Sequence, residues 1–185
     1  MNVIEFQKRL AFVSNNPDFE TLTETASGVM DAFEDVAKVK CINLDKFKFI
    51  FYPDLGTTNT PCSADALTFE RNGTFLIEFK ANSVDGANIV RKVYDSIMLF
   101  VEHGGYDFSR TRNEIVFVLV TTAVCSSMEK AVSRSRYYMK EPWDQMKPQL
   151  DRWGISNLEN IIVKKAYVMS PDMFNYYIKF NRWER

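Results

Sequence analysis

Three ionisable residues near the middle of the chain, Asp65, Glu78 and Lys80, have the types and the spacing from which a hydrolytic metal site can be built. They lie in two partly apolar runs, 65–71 and 74–80, separated by Asn72-Gly73. Asn-Gly between such runs is the strongest short hairpin signal, because a type I′ turn requires positive φ at both central residues. With Asn72-Gly73 as the loop, Arg71 faces Thr74, Leu67 faces Glu78 and Asp65 faces Lys80. Strand side chains alternate between faces, so Asp65, Leu67 and Phe69 share one with Leu76, Glu78 and Lys80, while Phe75, Ile77 and Phe79 line the other. Asp65 and Glu78 are then diagonal neighbours, roughly 7–8 Å apart at the backbone, a gap that two carboxylate side chains can close onto one ion.

Neighbouring buried carboxylates are costly unless a cation compensates them. Lys80 supplies one positive charge, and a divalent ion supplies the rest. A hard ion such as Mg²⁺ accepts one or two carboxylates, a backbone carbonyl and waters. The competing reading is plainer: Glu78 and Lys80 form an ion pair on the exposed face of an edge strand, and Asp65 caps a turn.

The elements that must position these residues follow from periodicity. A first helix starts at residues 16–20, where Asn16 and Pro17 precede early acids, and Leu22, Ala26, Val29, Met30, Phe33 and Val36 carry it to about Lys38. Residues 47–52 read as a strand stopped by Pro53-Asp54, and 55–63 as a Thr/Asn/Pro-rich loop. A second long helix is expected over about 84–102, with Ile89, Val93, Ile97 and Phe100 on one face, ending at His103-Gly104-Gly105. The run 114–121 lacks alternation and reads as a fully buried strand. Residues 126–140, 144–153 and 171–180 read as helices and 161–168 as a strand. The sum is an α/β domain, a mixed sheet covered by helices on both faces.

Bulk properties fit one domain over residues 1–185. Hydrophobic residues make up 46% and charged residues 25%, a mix able to bury a sizeable core. The net charge of -1 provides no whole-protein field toward nucleic acid or membrane. The charge is uneven, however. From Ser127 onward eleven Lys/Arg stand against seven Asp/Glu, leaving twelve against seventeen before that point. Lys130, Arg134, Arg136 and Lys140, interleaved with Tyr137 and Tyr138, form a segment able to grip phosphates and stack on bases, or a solvated helix face. Three cysteines without CxxC spacing argue against a disulfide scaffold or zinc knuckle. The opening MNVIEFQKRL lacks a signal-peptide core, and no apolar run approaches a membrane span, so a cytoplasmic location is expected. P-loop, dinucleotide and serine-hydrolase motifs are missing.

Asp65, then Glu78-Phe79-Lys80 on a hairpin, between an N-terminal helix and a following helix and buried strand, resembles the PD-(D/E)XK nuclease superfamily over about residues 17–122. The strings 75–80 and 91–96 are also similar to uncharacterised bacterial proteins of that superfamily. The resemblance implies a restriction-endonuclease-like αβββαβ core, with residues 126–185 adding helices and a strand. It implies a Mg²⁺-dependent (or Mn²⁺-dependent) nuclease acting on DNA, with a role in phage defence or mobile-element biology. Asp65, Glu78 and the Phe79 carbonyl become metal ligands, and Lys80 orients or activates the attacking water. Ala64 stands where the superfamily usually has proline, whereas a literal Pro-Asp occurs at Pro53-Asp54, so Asp54 is a rival ligand. Lys92 and Ser96 on the second helix are supporting residues, Lys92 for a phosphate contact, and the first helix offers Glu34 or Glu24. A homodimer is compatible with this reading, since cutting two strands is often divided between paired subunits. The alternatives from other classes are a catalytically silent nucleic-acid-binding or assembly module of the same fold, and a plain protein-interaction domain.

Overall fold

The computed structural model describes residues 41–45, 48, 52, 61–70, 73–81, 83–103, 106–123, 151–171, 173, 174 and 177. Among these residues five strands form one mixed sheet in chain order: β1 (Ile42–Asn43), β2 (Ala66–Glu70), β3 (Gly73–Lys80), β4 (Ile115–Thr121) and β5 (Lys165–Met169). The β1/β2 and β2/β3 pairs are antiparallel, and β3/β4 and β4/β5 are parallel. Parallel neighbours need a long crossover. Between β3 and β4 it consists of α1 (Gly86–His103) and α2 (Phe108–Glu114). The chain is therefore an α/β protein with a mixed sheet.

The most completely buried of the described strands is β4, as its continuous apolar run dictates. Every residue of β4 is buried, with partners on both sides in β3 and β5. Helix α1 covers one sheet face. Its Ile89, Val93, Ile97 and Phe100 are all buried, in one core with Leu67, Leu76, Phe117 and Leu119. The helix starts where Asp85 Oδ1 accepts from the Ala87 and Asn88 amides, at 3.1 and 3.3 Å. Gly86 opens the helix against the Trp153 backbone, where any Cβ would collide with the Trp153 carbonyl. The opposite sheet face carries Phe79, stacked edge-on against the helical residue Phe174 at 5.8 Å.

Three expectations need correction. The hairpin pairs Leu67 with Leu76 and Glu70 with Gly73, two positions away from a register in which Arg71 faces Thr74. The observed register sets two leucines opposite each other under α1, where both are buried, instead of placing Leu67 against a carboxylate. A slip of two leaves every side chain on its original face. Asp65 now falls opposite Glu78 rather than diagonal to it.

The strand expected at 47–52 is the second correction, made at Lys48 and Tyr52, its two described residues. The strand beside β2 is Ile42–Asn43, whereas Leu44, Asp45 and Lys48 are helical and the Tyr52 amide donates to the Lys48 carbonyl. Leu44 is buried and Lys48, four residues on, is half-buried, the spacing of one helical face. That helical spacing coexists in this segment with the alternation that suggested a strand. The third correction is the short helix α2, which the sequence reading lacked. Asp107 caps it, its carboxylate accepting from the Arg110 amide at 2.7 Å.

The strand expected at 161–168 begins later, as β5, after the 3₁₀ turn Ile155–Leu158. The first helix and the helix expected at 126–140 lie outside the described residues, as does most of the one expected at 144–153. Of the last helix, Pro171, Met173, Phe174 and Tyr177 are described and helical.

Candidate active site

Asp65, Glu78, Lys80 and Lys92 meet beneath α1, at the end of the β2–β3 ribbon away from its turn. Glu78 is the floor of the cluster. Its side chain is 0% exposed, against 19% for Asp65, 16% for Lys92 and 29% for Lys80. Glu78 Oε1 receives two ammonium groups, Lys92 Nζ at 2.7 Å and Lys80 Nζ at 2.9 Å. Lys92 Nζ also reaches Asp65 Oδ1 at 3.3 Å, so it bridges the two carboxylates. The other Asp65 oxygen accepts from the Phe79 amide at 2.7 Å. Asp65 thus takes the acceptor position just beyond the first residue of β2, which fixes its carboxylate against β3.

Glu78 Oε2 is buried with no hydrogen-bond partner among the described residues. A buried acceptor in that state carries its full desolvation cost. Burial, followed by the charge of Asp65, pushes the Glu78 carboxyl up to about 7, although both lysines oppose the rise. Burial on its own favours the neutral form of Lys92, but the charges and hydrogen bonds of Glu78 and Asp65 outweigh it and raise its pKa. The two acids therefore hold Lys92 as an ammonium.

A second tier of contacts delivers Asp65. The Asp95 carboxylate on α1 accepts from the Cys62 amide at 2.9 Å. One position on, Ser96 Oγ accepts from the Ala64 amide at 3.0 Å and donates to the Lys92 carbonyl at 2.8 Å. The segment before Asp65 is thereby stitched to the helix that carries Lys92. Ser63 Oγ donates to Asp45 Oδ1 at 2.7 Å, and Lys48 Nζ donates to the same oxygen at 2.7 Å. Burial works to raise the Asp45 carboxyl, but the Lys48 and Ser63 hydrogen bonds and the charges of Lys48 and Lys92 bring it below its ordinary value.

Of the residues singled out from sequence, Asp65, Glu78, Lys80 and Lys92 come together. Ser96 acts on the Asp65 segment and not on the carboxylates. The Phe79 backbone lies beside Asp65, while its side chain is buried on the far face. Asp54, Glu34, Glu24, Lys130, Arg134, Arg136 and Lys140 lie outside the described residues. Sequence reasoning missed Asp95, Asp45, Lys48 and Ser63. Asp95 had a signal, since it lies three residues past Lys92 and shares its helical neighbourhood. His103 lies at the end of α1 as expected, its Nε2 3.3 Å from the Tyr52 hydroxyl. Burial and the adjacent Glu102 push that hydroxyl up to about 12.

Among the described residues, no group of three or more His, Cys, Asp or Glu side chains is arranged to hold a metal ion. The donor chemistry still suits one hard divalent ion, because Mg²⁺ sites commonly use one or two carboxylates and take their remaining ligands from water and phosphate. The partnerless Glu78 Oε2 is the observation that favours a further cation. A plain surface ion pair does not describe this cluster, because Glu78 is sealed from solvent. The chain matches no protein-family model, no curated protein and no solved structure. No helix among the described residues is long and apolar enough to cross a membrane.

Proposed function

We propose that this chain is a metal-dependent nuclease of the PD-(D/E)XK type that hydrolyses phosphodiester bonds in DNA. One observation carries the reading: Asp65, Glu78 and Lys80 converge on one sheet face, with a buried Glu78 oxygen that has no partner. In this reading Asp65, Glu78 and the Phe79 carbonyl would hold Mg²⁺ or Mn²⁺. The bound ion polarises a phosphoryl oxygen and lowers the pKa of a water. Lys80, the most exposed member of the cluster, has its Nζ anchored on Glu78 Oε1. From there its ammonium orients the attacking water and stabilises negative charge that grows on the phosphoryl oxygens. Lys92 adds a second positive charge to the same mouth. Lys130, Arg134, Arg136 and Lys140 supply backbone contacts along the DNA. The αβββαβ core, cytoplasmic location, homodimer and service in phage defence or mobile-element biology belong to this proposal.

One observation favours a second reading, a nucleic-acid-binding module of the same fold without catalysis. Lys80 and Lys92 balance the charges of Asp65 and Glu78, so the cluster reaches neutrality without a metal.

Incubation of the purified protein with labelled DNA and RNA, with Mg²⁺ or Mn²⁺ and with chelator, separates the two. The nuclease reading requires divalent-dependent cleavage that Lys80→Ala lowers by about a thousandfold, with an unchanged circular dichroism spectrum. Absence of cleavage under every condition overturns it, and retained nucleic-acid binding in that case supports the silent module.

A further inference from the structure

We propose that Lys92 is the built-in competitor for the metal position: its ammonium occupies the junction of Asp65 and Glu78 and must be displaced before a divalent ion can bridge them. This inference rests on the nuclease reading of the site and deepens it by adding a regulatory contact. The ammonium lies 2.7 Å from Glu78 Oε1 and 3.3 Å from Asp65 Oδ1, one oxygen from each carboxylate. Among the described cations, Lys92 alone touches both acids. Lys80 reaches Glu78 only. Asp65 has its other oxygen committed to the Phe79 amide, so the oxygen it offers to an ion is the one that Lys92 holds.

Glu78 Oε1 already holds two ammonium groups, so a divalent ion added between the acids would bring a third cation to two carboxylates in a poorly solvated setting. Entry of a divalent ion therefore requires the ammonium to move away from Asp65 Oδ1. The side chain has the means to move. Lys92 is half-buried, its side chain 16% exposed, on a flexible four-carbon stem whose head can extend toward solvent. A displaced ammonium at the mouth of the site is placed to meet a phosphate. In this way substrate anion and divalent ion support each other's binding, each relieving the position that the other's partner occupies.

Replacing Lys92 by methionine keeps the volume and removes the charge. The test is Mn²⁺ affinity, followed by the loss of free-Mn²⁺ electron paramagnetic resonance signal, in the full chain without nucleic acid. Wild type, Lys92→Met, Lys92→Gln and Lys80→Met are compared at one pH and salt concentration. Lys92→Met is expected to bind Mn²⁺ about tenfold more tightly than wild type, with Lys92→Gln in the same direction and Lys80→Met changing less. Lys92→Gln serves should the methionine variant fail to fold. Equal or weaker Mn²⁺ binding by the folded Lys92 variant overturns the competition while leaving the metal site intact. An equal gain in Lys80→Met also overturns it, because the effect is then one of general charge and not of the junction. Absence of Mn²⁺ binding in wild type and every variant overturns both this inference and the metal-dependent reading beneath it.

Discussion

Two of the acid–base groupings among the described residues have similar lengths and opposite consequences. On α2, Arg110 Nε pairs with Glu114 Oε1 at 2.8 Å across one helical turn, with side chains 30% and 40% exposed. Beneath α1, Lys92 pairs with Glu78 at 2.7 Å, and Glu78 is 0% exposed. The distances are nearly equal, yet the environments are not. Water screens the first pair and solvates each member, so separating its partners costs little. In the second pair the carboxylate has already lost its water, and one of its oxygens has no replacement. What separates a surface ion pair from a site able to recruit a cation is the solvent each group has given up, not the separation of the charges.

The largest effect expected from this contrast is on stability when the buried pair is broken. Lys92→Ala at pH 8 should cost about 4 kcal/mol, because it leaves a buried carboxylate with fewer compensating cations. Chemical denaturation measures this. A loss below about 1 kcal/mol would show that water solvates Glu78 in the folded chain.

A pH dependence of comparable but smaller size follows from Glu78 itself. Its unfolded carboxyl titrates near 4.5 and the folded one near 7, so the folded chain retains a proton that the unfolded chain has released between those values. The contribution of Glu78 to stability therefore falls as pH rises through this window, by about 3 kcal/mol, and is level on either side. Comparing wild type with Glu78→Gln from pH 4 to pH 8, without metal, should show this decline in wild type alone. Parallel curves for the two proteins would remove the case for a buried, proton-holding Glu78. The smallest effect belongs to the exposed pair: Arg110→Ala should change stability by no more than about 0.5 kcal/mol. A cost of several times that amount would erase the contrast between the two regions.

Legibility followed local physics. The positions of α1 and β4 could be read because each has a dominant period or an unbroken apolar run, with α1 at Gly86–His103 where 84–102 was expected. The face shared by Asp65, Glu78 and Lys80 was readable for a similar reason, since alternation survives a two-residue slip. The register itself was not. The Asn-Gly signal marked the turn region, but pairing Leu67 with Leu76 gains apolar burial against α1, a contact that no short-range rule contains. The segment around Lys48 offered two compatible periods, and the sequence pattern did not choose between them. Asp45 and Ser63 were illegible because they are eighteen residues apart and meet only through the fold.

Residue types and periodicity by themselves established an α/β chain with one fully buried strand, and two acids and a lysine on one side of a hairpin. Those properties depend on near neighbours along the backbone. The packing of α1 onto the sheet decided the rest: that Glu78 loses its water, that Lys92 enters the junction between Asp65 and Glu78, and that Asp95 and Ser96 hold the segment leading to Asp65. Desolvation and convergence depend on what lies overhead in space, and distant parts of the chain provide that cover only once it has folded.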